Sequence, residues 1–438
     1  MLKVVKFGGT SLADAEHFIR VAEIIKADPT RRYVVASAPG KRSGDDEKVT
    51  DMLYNCYNMI RNREDITDYY KNIVERYTDI IHGLGINFNI TGELEYIKNA
   101  MMARSGRDFA ASRGEYLNSL ILAKYLGFDF IDAENVIFFK ENSEFDEEKT
   151  NNAMKEELAK HKCAVIPGFY GCMPNGTIKT FSRGGSDITG SIVARAAGAD
   201  LYENWTDVSG FLMADPRIIK NPLPISTITY RELRELSYNG ATVLHEDAIF
   251  PVQKEGIPIN IRNTNHPEDE GTIIVPSASE LDSNRVVTGI AGKKGFSVIN
   301  IEKNHMGGEF GFASRVFKCL DLYDIHTEHL ASGIDSMSHI VSSQELNSKL
   351  DEFIPELHKI TEADNISVDT GLALVAVVGR GMKESKGTAA RIFSAISSAG
   401  VNVRMIDQGA SELNIVIAVY ENDYEKTIEA IYNEFVKK

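Results

Sequence analysis

The chain has 438 residues, 25% charged and 43% hydrophobic, and its 48 Lys and Arg against 63 Asp and Glu leave a formal net charge of −15. That length predicts two to four domains with full hydrophobic cores, and that composition excludes long disorder. So acidic a chain is a poor partner for nucleic acid or an anionic membrane, whose non-specific binding rests on Lys and Arg neutralising phosphates.

Val4, Val5 and Phe7 predict a first strand, Gly8-Gly9-Thr10-Ser11 a turn, and Phe18, Val21, Ala22 and Ile25 a helix. Tyr33 to Ala36 reads as a second strand, closed by Ser37-Ala38-Pro39-Gly40. Polar helices fill the stretch from Asp46 to Tyr125, and Phe128 to Asp132 and Cys163 to Ile166 read as further strands. Ser186 and Asp187 stand where a helix carrying Ile188, Ile192, Val193 and Ala196 would be capped. Short apolar strands alternating with helical patterns predict an α/β domain on a mainly parallel sheet. Its end is expected near Pro276 to Asn284, which is rich in turn formers. The longest apolar run, Leu372 to Val378, is far short of the about 20 residues of a membrane-spanning helix. Met1 to Gly9 lacks a signal peptide's apolar region, and Cys56, Cys163, Cys172 and Cys319 show no C-x-x-C spacing, so reduced thiols and a cytoplasmic location are expected.

The last third repeats itself. A shift of 76 residues aligns Ala313-Ser-Arg315-Val-Phe317 with Ala389-Ala-Arg391-Ile-Phe393, and pairs Gly295 with Gly371, Val298 with Leu374, Ile301 with Val377 and Gly333 with Gly409. Each copy reads as strand, glycine-containing loop, helix and two strands.

Two segments carry the chemistry. Lys6-Phe7-Gly8-Gly9-Thr10-Ser11 and Phe181-Ser182-Arg183-Gly184-Gly185-Ser186-Asp187 are both cationic, glycine-rich entrances to helices, suited to a ligand with several negative charges. Neither is a Walker P-loop or a dinucleotide G-x-G-x-x-G turn. Together with Thr206-Asp207-Val208-Ser209-Gly210 and Ala214-Asp215-Pro216-Arg217, in that order, they resemble the signatures of aspartate kinases within the amino acid kinase family. The repeats resemble the paired ACT modules of that family, so the resemblance covers nearly the whole chain, and no fused homoserine dehydrogenase is expected.

The resemblance implies a three-layer amino acid kinase domain over residues 1–283, followed by two ferredoxin-like α+β ACT modules over 284–368 and 369–438. The implied reaction takes ATP, with Mg²⁺ carried mainly on its phosphates and no metal-ligating residues, and L-aspartate to 4-phospho-L-aspartate and ADP. Residue by residue, Lys6 would stabilise the transferring phosphoryl group and Asp187 would hold Lys6. Gly8, Gly9 and Ser11 would cradle phosphates, and Thr206, Asp207, Phe211 and Arg217 would contact the nucleotide. Ser37, Glu115, Arg183 and Ser186 would hold aspartate, Glu115 taking its α-ammonium.

Two departures stand out. Thr242, in Ala241-Thr242-Val243-Leu244-His245-Glu246, replaces a phosphate-facing lysine of many members, with Lys41, Lys220 or Arg231 as candidate substitutes, and Phe211 stands where a tyrosine is common. ACT pairs in relatives bind an end-product amino acid between subunits. This implies a homodimer or tetramer, a lysine rather than threonine effector, and Met306, Gly308, Phe310, Gly311, Phe312, Glu328 and Ser338 as effector-site residues. The competing readings are a glutamate-, acetylglutamate- or carbamate-directed amino acid kinase, and a non-catalytic amino-acid sensor.

Overall fold

A computed structural model describes every residue except Arg104, Arg183, 242–248, 278–284 and 437–438. The chain divides into two units, the first made of Met1–Phe211, Ser226–Tyr230 and Val243–Glu280, the second of Leu212–Ile225, Arg231–Thr242 and Leu281–Lys438.

In the first unit the order is β1 (Lys3–Phe7), α1 (Ala15–Ala27), β2 (Arg31–Ala36), α2 (Val49–Arg61), α3 (Thr67–Leu84), α4 (Thr91–Met102), α5 (Arg107–Leu126), β3 (Asp129–Phe130), α6 (Glu147–Leu158) and β4 (Ala164–Pro167). A hairpin of β5 (Tyr170–Cys172) and β6 (Ile178–Thr180) follows, then α7 (Gly185–Ala197), β7 (Leu201–Thr206), β8 (Thr227–Thr229), α9 (Phe250–Glu255), β9 (Ile259–Asn263) and β10 (Thr272–Val275), while α8 (Tyr230–Tyr238) belongs, from Arg231 on, to the second unit. Eight of these strands form one sheet in the order β3-β4-β2-β1-β7-β9-β10-β8, parallel at every pairing except β9 with β10. Helices α1 to α5 pack one face of it, while α7, flanked by α6 and α9, packs the other. This is the mainly parallel sheet expected from the alternating pattern, in the three layers that the resemblance implies. The third predicted strand is much reduced, to Asp129–Phe130.

Local chemistry explains the elements. In α1, Phe18, Val21, Ala22 and Ile25 fall at helical spacing and are all buried, and the Asp14 carboxylate caps the helix by accepting the His17 N–H. In β1 and β2 successive residues alternate between the faces, so Val5, Phe7, Val34 and Ala36 join the core under α1 to α5, whereas Lys6 points to the α7 side. Each fully buried side chain of this size stabilises the fold by roughly 1.5–3 kcal/mol.

The second unit carries β11 (Gly289–Glu302), α10 (Phe312–Leu322), β12 (Thr327–Ser332), β13 (Ser336–Ser342), α11 (Ser343–Asn347), α12 (Leu350–Thr361), β14 (Asn365–Val378), α13 (Thr388–Ser398), β15 (Met405–Asp407), β16 (Asn414–Tyr420) and α14 (Tyr424–Val436). The internal repeat is realised element by element: β14 and α13 begin and end 76 residues after β11 and α10. The six strands form a single antiparallel sheet, ordered β12-β13-β11-β14-β16-β15. Its two long central strands are shared. Phe296 to Glu302 of β11 pairs with β13, while Gly289 to Lys294 lies against the half of β14 that pairs with β16. The two copies therefore exchange strand halves rather than meeting at a point in the sequence.

Candidate active site

In the first sheet β1 runs between β2 and β7, and the chain proceeds outward from β1 in one direction and from β7 in the other. Where strand order reverses in this way, the connections leave on opposite sides and open a crevice beyond the carboxyl ends of the strands. Phe7, Ala36 and Thr206 end β1, β2 and β7, so the Gly8-Gly9 turn, the Ser37–Gly40 loop and Thr206-Asp207 all lie at this edge.

Lys6 is 7% exposed, and its Nζ lies 2.6 Å from Asp187 Oδ1 in the first turn of α7. Lys6 is the cross-strand partner of Asn204, whose Nδ2 donates to the same Asp187 oxygen at 2.9 Å. The cap expectation is corrected here. Gly184, with φ of +59°, is the residue before the helix, and Ser186 and Asp187 lie inside its first turn. Placed there, Asp187 points down to the sheet rather than back onto its own helix.

Backbone hydrogen bonds within the protein hold the glycine turn. The Gly8 N–H donates to the Trp205 carbonyl at 3.1 Å, extending the ladder between β1 and β7, and is therefore already committed. The Gly9 carbonyl accepts the Gly40 N–H at 2.8 Å, and a Cβ on Gly40 would come within 2.7 Å of Gly9 backbone. The two loops thus touch backbone to backbone, which a larger residue at position 40 would prevent. The Ser11 hydroxyl is buried and hydrogen-bonded to that of Thr264 at 2.7 Å. Arg76, also buried, ties the Ser37–Gly40 loop down from α3 by donating to the Gly40 carbonyl at 3.1 Å and to Asp46 at 2.6 Å.

Glu115 is not a solvated helix residue. It is 6% exposed on α5, it accepts the Ala38 N–H, and its Oε2 has no hydrogen-bond partner among the described residues. Burial pushes its carboxyl up to about 8. One turn further along, Asn118 donates from Nδ2 to the Ser37 carbonyl at 2.7 Å. A carboxylate withdrawn from water with an oxygen to spare suits a cationic group arriving from outside.

The amino acid kinase family profile matches residues 1–263, and an ACT domain profile matches residues 375–435. Aspartokinase 3 of Bacillus subtilis is 37% identical over 453 residues, covering 99% of this chain and 98% of that one. The chain belongs to the aspartate kinase family. A crystal structure of Clostridium acetobutylicum aspartate kinase matches it with a TM-score of 0.93 at 50% identity, over all of both chains. Escherichia coli aspartokinase III in complex with aspartate and ADP shares the fold, at 24% identity and a TM-score of 0.76 over all of both chains.

Against that family background the remaining predicted residues are unevenly placed. Thr206 follows the buried Trp205 and donates to the exposed Asp207 at 3.2 Å. Phe211 is 1% exposed, with its N–H given to Thr272 Oγ1 at 2.8 Å. Arg217 is 87% exposed and paired with Asp215 at 2.6 Å. Ser186 packs against Gly168, at the end of β4. Arg183, Thr242 and His245 lie outside the described residues, and Lys41, Lys220 and Arg231 are all exposed. Among the described residues no group of three or more His, Cys, Asp or Glu could hold a metal ion.

The residues expected at an effector site are spread over the second unit. Met306 and Phe312 belong to the core beneath α10 and α12, whereas Phe310 is fully exposed, at 102%. Gly311, at φ of +80°, precedes α10. The Tyr238 hydroxyl donates to Glu328 at 2.5 Å, and Ser338 donates to Asn300 at 2.9 Å. Glu309, the acid of the same loop, is paired with Lys303 and Arg315. Sequence reasoning missed Asn204 and Arg76. The signal for Asn204 was a short polar side chain at an inward position of the strand Tyr202-Glu203-Asn204-Trp205.

Proposed function

We propose that this chain transfers the γ-phosphoryl group of ATP to the β-carboxylate of L-aspartate, giving 4-phospho-L-aspartate and ADP. The observation that carries the reading is Lys6, buried at the strand-order reversal and held by Asp187 at 2.6 Å. The acceptor needs no general base, because a carboxylate with a pKa of about 4 is ionised at neutral pH. The obstacle is charge: at 4 Å and an effective dielectric of 20, two unit negative charges repel by about 4 kcal/mol. A fixed ammonium aimed at the transferring group offsets this, so catalysis consists of positioning and electrostatic stabilisation.

In this reading Lys6 faces the phosphoryl group and the turn at Gly9 lies under the phosphates. Glu115 takes the α-ammonium of aspartate, while Ser37, Arg183 and Ser186 hold its carboxylates. Thr206, Asp207 and Arg217 contact the nucleotide. Mg²⁺ enters with ATP, bound mainly through the phosphates. The ACT modules bind an end-product amino acid, lysine in our reading, within a dimer or tetramer.

The test is ADP release with MgATP and a panel of carboxylate acceptors, trapping the acyl phosphate with hydroxylamine. Turnover with aspartate is expected, and Lys6→Ala should abolish measurable kcat with aspartate still bound. Turnover with glutamate or acetylglutamate but not aspartate would reassign the substrate, and no turnover with any acceptor would leave a sensor. Millimolar lysine should lower the initial rate; a rate indifferent to lysine would remove it as the effector.

A further inference from the structure

Asn204 is 4% exposed in the middle of β7, where an aliphatic side chain would pack at no polar cost. A buried amide is tolerated only where it is hydrogen-bonded. Its Nδ2 donates at 2.9 Å to Asp187 Oδ1, the oxygen that also receives Lys6 Nζ at 2.6 Å. The orientation follows from chemistry, since a carboxylate can only accept and the amide must present its nitrogen. Two residues earlier on the same face of β7, the Tyr202 hydroxyl donates to the Asp187 backbone carbonyl at 3.2 Å. Neighbouring strands stand about 4.8 Å apart, so Lys6 and Asn204 rise side by side from the sheet, and Asp187 closes the triangle from α7.

We infer that Asn204 is a positioning residue for phosphoryl transfer, fixing the Asp187 carboxylate so that the Lys6 ammonium is held at one point. The inference rests on the aspartate kinase reading above. A neutral donor suits this task. An Arg or Lys at 204 would compete with Lys6 for Asp187, and an Asp would compete with Asp187 for Lys6. Without the amide, Asp187 is free to turn about its side-chain torsions, and Lys6 follows it. Misplacement by about 1 Å at a reacting centre costs on the order of 100-fold in rate.

The experiment compares wild type with Asn204→Leu, which keeps the size and removes the donor, and with Asn204→Ser, which is smaller and falls short of Asp187. Both are expected to lower kcat by about 10- to 100-fold, with KM for aspartate within about twofold and Tm not lowered in at least one of them. In the resting enzyme, acetylation of Lys6 by a small anhydride, followed by mass spectrometry, should rise severalfold relative to exposed lysines, because the ammonium is less firmly paired. Wild-type kcat together with wild-type Lys6 labelling in a folded variant overturns the inference. A matching rise in KM and loss of Tm in both variants overturns it too, by showing a merely structural role. Absence of turnover in the wild type would instead reject the activity, leaving the labelling comparison to judge Asn204.

Discussion

The Glu115 carboxylate accepts the backbone N–H of Ala38, and this bond, with its own N–H and the charge of Arg113, is too little to offset its burial. With its carboxyl pushed up to about 8, the unliganded site is mostly protonated at pH 7, yet an α-ammonium pairs well only with the carboxylate form. Binding of aspartate must therefore release a proton below pH 8. The expected result is a KM for aspartate that falls by up to about tenfold per pH unit between pH 6 and 8 and levels off above it. Initial rates at saturating MgATP across pH 6 to 9 check this, and a KM that is flat over that range removes Glu115 from the ammonium site.

The same shift makes a statement about stability. The folded carboxyl, at about 8, lies above its ordinary value of 4.5, so between those limits the folded state holds more protons than the unfolded chain. Stability is therefore lost as pH rises through that window, by at most about 5 kcal/mol, and the full loss is present above pH 8. Glu115→Gln removes the titration. The variant should have a higher Tm than wild type at pH 8.5 and nearly the same Tm at pH 5, while its KM for aspartate rises. An equal or lower Tm at pH 8.5 contradicts the account. A group kept at such a penalty in the resting protein is the usual mark of a site built for a ligand rather than for stability.

Much of this arrangement was legible in the sequence. Lys6, the Gly8-Gly9 turn and Asp187 lie in short contiguous motifs, and the repeat of 76 residues gave both copies of strand and helix because local periodicity encodes them directly. What escaped was set by pairing across the chain. Nothing near Gly8 says that its N–H is taken by Trp205, and nothing near Asn204 names Asp187 as its partner. Likewise, each half of β11 has its own hydrophobic pattern, but only the register with β14 reveals that the halves serve different copies. The helix cap was misplaced by a different route, since Ser and Asp are good caps by composition, while the chain turns instead at Gly184 with positive φ.

That strand exchange depends on two glycines. Gly295 is an extra residue on β11 between the Lys294 and Phe296 pairings, and Gly371 lies at the compensating irregularity on β14, with φ of +94° and +72°. A Cβ at either position meets nothing within 4 Å, so any penalty for replacing them is conformational rather than steric. Gly371→Ala is expected to destabilise the second unit by about 1–2 kcal/mol. Thermal unfolding measures it, and Gly295→Ala should act in the same direction. An unchanged or raised Tm in both would show that the strands turn without help from glycine.

The second unit also contains a fully buried carboxylate whose pairing can be tested on its own. Glu232, on α8, is 0% exposed and accepts from Arg380 Nη1 at 3.0 and 3.1 Å, from the Arg380 N–H at 3.2 Å and from Thr288 Oγ1 at 2.6 Å. Bringing both charges out of water cost a large desolvation energy, which the close geometry mainly repays, so the pair as a whole contributes little. Breaking it is another matter. Arg380→Met removes the Arg380 guanidinium from beside Glu232 while the carboxylate stays buried, and should destabilise the unit by about 3–5 kcal/mol. Adding Glu232→Gln removes the buried negative charge, so the double variant should be more stable than Arg380→Met alone. Urea unfolding of the wild type, both single variants and the double variant closes the cycle. Additive losses would mean that Glu232 and Arg380 contribute independently, which the contact of Arg380 Nη1 with both carboxylate oxygens does not permit.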